Sequence, residues 1–536
     1  MLKTICSLTA TLCLASSSVL LAQAPAPTTP ALAAPTAPAT PPAADKPVTP
    51  PEIPAPEAIT NFDGVRRLAK ELAAKPYEEK LEPLDPFFAN MEYDDHREII
   101  YFFDKAPGFK EKDHFAVEFF HPGWMYKKTI QFSEVIDGKE VPFPCKQDLF
   151  HYGRVKLPEK ITYPTGFAGF KVITPTDAEG DRPQCMVFMG ASYFRVAPKG
   201  QFFGISNRAV AINTVGSEKE EFPDFKRFWL IRPGGAEKTM TLLALMDGPS
   251  ITGAYQFEVT PGKEAEVRVL SEIYLRKPVQ LLGLCPFSSM FWFGENTQPK
   301  PYDFRPEVHD SDGLVLDIGD TDRFWRPLEN SSSLRHSIFK ADKLKGFGIA
   351  QRDRKFESYE DLESKYHQRP SVWLEPTSNW GPGNVHLIEI STGEETWDNV
   401  VTFWQPEQQP KPGEPLALSY KMRFIEDIGD NKIAKVTDTR RGHIIKKPNE
   451  ELFVLEFTKR EGCLSTPENP PEIITTIGGG KAELVDQRVI ANPKTGGWRA
   501  FFRVKIAPEE NTVELNCRLL ENKQLASEIW SYQWKR

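Results

Sequence analysis

Carboxylates set among aromatic rings recur in several loop-like stretches of this chain, and that combination is what carbohydrate chemistry requires. The first stretch runs Met290-Phe291-Trp292-Phe293-Gly294-Glu295-Asn296 and continues through Tyr302, Arg305, Glu307, His309 and Asp310. A second holds Trp325 and Arg326, and a third holds Tyr366, Arg369, Trp373, Glu375 and Trp380. The last runs Gly393-Glu394-Glu395-Thr396-Trp397-Asp398-Asn399. Aromatic faces stack on the C–H faces of sugar rings, while carboxylate, amide and guanidinium groups bind hydroxyls. Candidates for substrate contact are therefore Trp292, Glu295, His309, Trp325, Tyr366, Arg369, Trp373, Trp380 and Glu395. Any single carboxylate taken alone reads more simply as a solvated group or a loop cap.

Other chemistries lose ground on spacing. The 9 histidines are scattered and none falls in an HExxH or HxH pattern, so no catalytic metal is expected. The run His309-Asp310-Ser311-Asp312-Gly313 has the outline of a calcium loop. It lacks the third oxygen ligand before the glycine, and Thr321 stands where the bidentate glutamate belongs. There is no GxSxG elbow, P-loop or dinucleotide fingerprint, and no cofactor is expected. A net charge of −8 without any basic block argues against nucleic acid as a partner.

The elements that must position these residues are mostly strands. Phe62, Val65, Leu68 and Leu72 recur at helical spacing behind Asn61 and Asp63, which predicts one short amphipathic helix over 61–75. Alternation then takes over at Phe115, Val117 and Phe119, and again from Thr129 to an Asp137-Gly138 turn. Tyr255, Phe257 and Val259 lead into a Pro261-Gly262 turn, with 267–275 as hairpin partner. The segments 286–335 and 350–384 read as long functional loops. A polar stretch over 426–449 separates two alternating regions, predicting an all-β chain with a large sandwich over 58–425 and a small one over 440–536. The latter has the size of an immunoglobulin-like sandwich. Five cysteines, Cys145, Cys185, Cys285, Cys463 and Cys517, follow the leader; an odd number without a CxxC pair reads as small buried hydrophobes.

The N-terminus has the layout of an exported protein. Lys3 precedes an apolar run from Leu12 to Ala22, too short for a membrane span, which predicts a signal peptide over 1–24. An Ala-, Pro- and Thr-rich stretch over 25–57 follows and reads as a disordered spacer.

At the aromatic stretches the chain resembles a known family, the periplasmic glucan biosynthesis proteins OpgG and OpgD (MdoG and MdoD). The matching residues are Gly190-Ala191-Ser192-Tyr193-Phe194-Arg195, the 290–296 run and Arg305-Pro306-Glu307-Val308-His309-Asp310-Ser311-Asp312-Gly313-Leu314. They continue with Gly346-Phe347-Gly348, Gln351-Arg352-Asp353-Arg354, Arg369-Pro370-Ser371, Trp373-Leu374-Glu375-Pro376 and Glu395-Thr396-Trp397-Asp398-Asn399. The resemblance implies a galactose-mutarotase-like β-sandwich joined to an immunoglobulin-like domain, working in the periplasm on glucans with a β-1,2-linked glucose backbone. It also implies inverting endo-β-1,2-glucanase activity, with Asp398 as general acid and Asp310 as general base.

On this reading Asp398 should be partly desolvated against Trp397 or Trp373, and Asp310 kept ionised by Arg305 or Arg369. Tyr366 is the candidate member of a proton relay. The short basic connection Thr439-Arg440-Arg441-Gly442-His443, then Lys446-Lys447, is closer to OpgG than to OpgD, which carries a longer glycine-rich insertion there. The alternative function is a non-catalytic glucan-binding or assembly factor. A membrane glucan synthase and a second copy of the chain stand as candidate partners beside the glucan itself.

Overall fold

Asn61 opens the first element, as its type and position suggest: its side chain accepts a hydrogen bond from the Gly64 N–H at 3.0 Å and caps a helix over Phe62–Ala73. The structure is a computed structural model describing residues 58–79, 83–108, 115–177, 180–232, 237–297, 302–319, 322–429 and 431–536. The expected signal peptide and spacer lie outside the described residues. The helix lays Val65 and Ala69 on a sheet through Trp229, Leu243, Leu245, Ala254 and Tyr274. That is the packing its apolar stripe requires.

Nearly everything else is strand. The alternation read from the sequence gives Ala116–Phe120, Gln131–Ile136 with its partner Lys139–Pro142, and the hairpin Ile251–Thr260 with Ala265–Leu275. These belong to two large sheets. One, of ten strands, runs from Ala116–Phe120 through Gln184–Met189, Tyr193–Val196, Ser206–Arg208, Leu282–Ser289 and Val400–Pro406 to Arg335–Lys340. The other, of fifteen strands, is mixed: Asp224–Ile231 runs parallel to Gln131–Ile136, and Asp322–Pro327 runs parallel to Ile529–Lys535. Phenylalanines from both sheets fill the space between them, with the Phe188 and Phe257 rings 5.3 Å apart.

Two segments differ from expectation. The stretches 286–335 and 350–384, expected as loops, contain Phe291–Phe293, Val308–His309, Gly313–Ile318, Asp322–Pro327, Ser371–Pro376 and the start of Gly383–Glu389. Several of these strands are buried on both faces, so the two-residue alternation that would betray them is missing. The polar stretch after 426 likewise folds as the strand Val436–Ile444, paired with Lys447–Phe457 in a small four-stranded sheet. A second core joins this sheet to the C-terminal strands and includes Val315, Trp325, Ala350 and Trp373 from the large sheet. The five cysteines among the described residues are free, four of them buried, in keeping with their reading as hydrophobes. Among the described residues no helix is long and apolar enough to cross a membrane.

Candidate functional site

A two-stranded ladder holds the two aspartate-bearing segments to one frame. Phe291 pairs with His309, and the Asp310 N–H donates to the Met290 carbonyl at 2.8 Å. On the other side Asn399 clasps the same strand: its Oδ1 accepts from the Phe291 N–H at 2.8 Å, and its Nδ2 donates to the Phe291 carbonyl at 3.0 Å. The same amide nitrogen reaches the Ile390 carbonyl at 2.9 Å, pinning both ends of the 391–399 connection. Asp310 and Asp398 are thus each one residue from a group bonded to Phe291.

Asp310 is buried, its side chain 6% exposed, and is ion-paired with Arg369. Burial raises its pKa; the positive charge of Arg369 opposes this, and the Asp398 carboxylate adds to it. The two carboxylates therefore feel one another. The Arg369 guanidinium lies 4.4 Å from the centre of the Tyr366 ring, and the Tyr366 hydroxyl donates to Glu395 Oε2 at 2.6 Å. Arg305 Nη1 donates to the same oxygen at 2.6 Å and to Asp361 Oδ2 at 3.1 Å. The chain Asp310, Arg369, Tyr366, Glu395, Arg305 runs without a break from one loop to the other.

Asp398 is more open, with 28% of its side chain exposed. Ser206 Oγ donates to its Oδ2 at 3.1 Å, Arg195 Nε donates to Ser206 Oγ at 2.8 Å, and Arg195 Nη2 stands 3.7 Å from the carboxylate. The cation beside Asp310 is Arg369 rather than Arg305. Of the two tryptophans expected to shield Asp398, Trp373 lies in the second core, while Trp397 donates its indole N–H to Glu394.

Behind the ladder lies a buried polar cluster. Gln351 Nε2 donates to the His309 and Tyr366 carbonyls at 3.0 and 3.2 Å, which turns its Oε1 toward His309 Nδ1 at 3.1 Å. Nδ1 therefore carries a proton, and Nε2 faces Glu307 Oε2 at 2.9 Å and Asp312 Oδ1 at 3.6 Å. One ligand atom from each of Glu307, His309 and Asp312 lies within 4.8 Å of the others, a spacing that could hold a cation. The surrounding acids outweigh burial and push His309 up to about 9, so an imidazolium supplies that positive charge at neutral pH. Burial, followed by Glu307 and Asp312, pushes Glu295 up to about 8, while its Oε1 accepts from the Thr439 N–H at 3.0 Å.

Of the residues expected to contact substrate, Arg369, Tyr366 and Glu395 fall into the network around Asp310. Trp292 packs against a small buried cluster that includes Phe293 and Tyr366. The rest do not join them. His309 is fully buried, and Glu295 faces the His309 cluster, so both support the loop from behind. Trp325 lies beneath the Arg352 guanidinium, 3.6 Å from ring centre, in the second core. Trp380 packs on Trp404 and Tyr420 and donates to the Ser419 carbonyl. These tryptophans follow the general preference of large aromatics for the interior. Sequence reasoning gave no role to Arg195 or Ser206, although Arg195 closes the recognisable Gly190–Arg195 run. Ser206 carries no signal of its own.

The fold is that of a β-rich protein in which one short ladder holds two aspartate-bearing segments. Over residues 61–534 the sequence matches the family described as periplasmic glucan biosynthesis protein, MdoG. The chain belongs to that family.

Proposed function

We propose that this protein is an inverting endo-β-1,2-glucanase that trims the glucan backbone in the periplasm. The observation that carries the reading is the shared Phe291 frame, which holds the Asp310 and Asp398 segments so that the two charges interact. In such a reaction Asp398 delivers a proton to the departing glycosidic oxygen. Asp310 takes one from the attacking water on the opposite face. Burial raises the pKa of Asp310, which strengthens it as a base, while the Arg369 cation opposes that rise. Tyr366 and Glu395 offer hydroxyl and carboxylate positions for a relay if the water stands away from Asp310. This reading includes the galactose-mutarotase-like and immunoglobulin-like assignment of the two sandwiches, divided near 425–440, and export by a signal peptide.

The test is incubation of the purified chain with linear β-1,2-glucan, with products resolved by size and anomer. Release of internal fragments with the α-anomer first supports the reading. Asp398→Asn should lower turnover by about 10²–10⁴-fold while glucan binding persists; unchanged turnover in that variant refutes the acid assignment. One observation favours the second reading, a glucan-binding or assembly factor that does not cut: the Asp310–Arg369 pair leaves the base nearly closed to water. Tight glucan binding with no fragment release over long incubation decides for it. A membrane synthase or a second copy would then be the partner that uses the bound chain.

A further inference from the structure

The segment 202–206 links the surroundings of the two aspartates. The Phe202 N–H donates to the Gln368 carbonyl at 3.1 Å, and Gly204 runs so close to Arg369 that a side chain added there would meet it at 3.1 Å. Two residues on, Ser206 turns its hydroxyl to Asp398. The sheet fixes this position. Ser206–Arg208 lies between Tyr193–Val196 and Leu282–Ser289, with Ser206 opposite Ser288, and Ser288 in turn opposite Val401, just past Asp398. A group carried on a strand paired on both sides is held more precisely than one on a loop.

The hydrogen bonds at Ser206 have only one sense. Arg195 Nε donates to Ser206 Oγ at 2.8 Å, and a guanidinium accepts nothing. The single hydroxyl proton of this buried serine therefore goes to Asp398 Oδ2 at 3.1 Å, its one acceptor among the described residues. Oδ2 also faces Arg195 Nη2 at 3.7 Å. An oxygen that receives a hydroxyl proton on one side and faces a cation on the other is a poor place for a further proton. Oδ1 is different: among the described residues it has no hydrogen-bond partner, and it is not buried.

We propose that Ser206 and Arg195 are positioning residues for Asp398: they tie down Oδ2, so that the transferable proton sits on Oδ1, and they stabilise the carboxylate that forms as it leaves. This rests on the glucanase reading above. In the step, the Oδ1–H bond breaks and its proton joins the glycosidic oxygen as that oxygen parts from the anomeric carbon. The water that attacks the anomeric carbon gives a proton to Asp310, and exchange with solvent returns both acids to their starting state. Hydroxyl and guanidinium bind a carboxylate better than a neutral acid, so their effect is largest in the transition state.

The test uses the full-length chain and two glycosides of a β-1,2-linked gluco-oligosaccharide, one with a phenyl and one with a 2,4-dinitrophenyl leaving group. Phenoxide needs the proton of the acid, whereas dinitrophenoxide leaves without it. Ser206→Ala should lower kcat on the phenyl glycoside about tenfold and keep it within about twofold on the dinitrophenyl one, with KM little changed. Retained dinitrophenyl cleavage also shows that the variant is folded. Arg195→Met should show the same selectivity, with a smaller loss on both substrates because its charge also acts on Asp310. On linear β-1,2-glucan, whose leaving alcohol needs the proton most, Ser206→Ala should cost at least as much as on the phenyl glycoside. Equal losses on both glycosides, or cleavage of linear glucan that Ser206→Ala leaves unaltered, overturn the positioning role while the glucanase reading stands. A parent that cleaves neither the glycosides nor the linear glucan overturns both.

Discussion

Asp310 illustrates how much of a residue's behaviour is decided by what covers it. A surface aspartate would be ionised throughout the neutral range, but here burial favours the protonated acid and Arg369 holds against it. Arg369→Met removes that opposition. On the proposed glucanase reading the acidic limb of the pH–activity profile should then move to higher pH, and the fold should lose about 3 kcal/mol, measurable by urea unfolding near neutral pH. The sign follows from the raised folded pKa. Protonated Asp310 contributes stability that is complete below the ordinary carboxylate value and is lost as pH rises through the higher folded one. In the variant this loss should extend further up the pH scale. Asp310 and Asp398 were legible only because long motifs around them resemble a family; their types and spacing alone left each a plausible surface acid. Arg195 and Ser206 reach Asp398 from a hairpin and strand nearly two hundred positions earlier, and no local pattern marks such a meeting.

Between residue and molecule stand the elements, and here the Phe291 ladder carries the site. Asn399, 3% exposed, spends its whole amide on backbone groups of Phe291 and Ile390. Asn399→Ala deletes three hydrogen bonds and strands their buried partners, which should cost about 2–4 kcal/mol by thermal or urea unfolding. On the proposed glucanase reading, Asp398 would be set free to wander, so kcat on β-1,2-glucan should fall by more than glucan affinity. The cluster behind the ladder gives a second expectation at this scale. Protonated Glu295 stabilises the fold fully below its ordinary value of 4.5 and ceases to do so as pH passes about 8; the His309 imidazolium does the same between 6.5 and about 9. Both slopes have one sign, so melting temperature should fall from pH 6.5 to 9, and Glu295→Gln should flatten part of that fall. Elements whose pattern is local, such as the capped helix Phe62–Ala73 and the hairpin at 251–275, could be read directly from the sequence. Gly313–Ile318 and Ser371–Pro376 could not, because burial on both faces erases the alternation.

At the scale of the whole molecule, the C-terminal strands do not hang from the large sheet but continue it. Ile529–Lys535 lies parallel to Asp322–Pro327, a pairing between strands two hundred residues apart that no periodicity announces. Arg352 fastens the junction. Its guanidinium makes two hydrogen bonds to Glu528, at 2.7 and 2.8 Å, and lies over Trp325, while Glu528 Oε2 also accepts from the Val436 N–H at 2.9 Å. The pair is 6% and 0% exposed, so neither charge has water to fall back on. The Arg352 backbone N–H also contacts the Asp312 carboxylate, which links this fastening to the His309 cluster. Arg352→Met should therefore cost about 3–5 kcal/mol by leaving Glu528 buried and alone. Replacing both partners by apolar residues should cost less than the sum of the single changes. Calorimetry of the unaltered chain should give one cooperative transition, because a shared sheet and a shared core couple the two lobes; in Arg352→Met an early transition of the C-terminal strands should separate. Two well-resolved transitions already present in the unaltered chain would mean that the continuous sheet does not make the lobes a single folding unit.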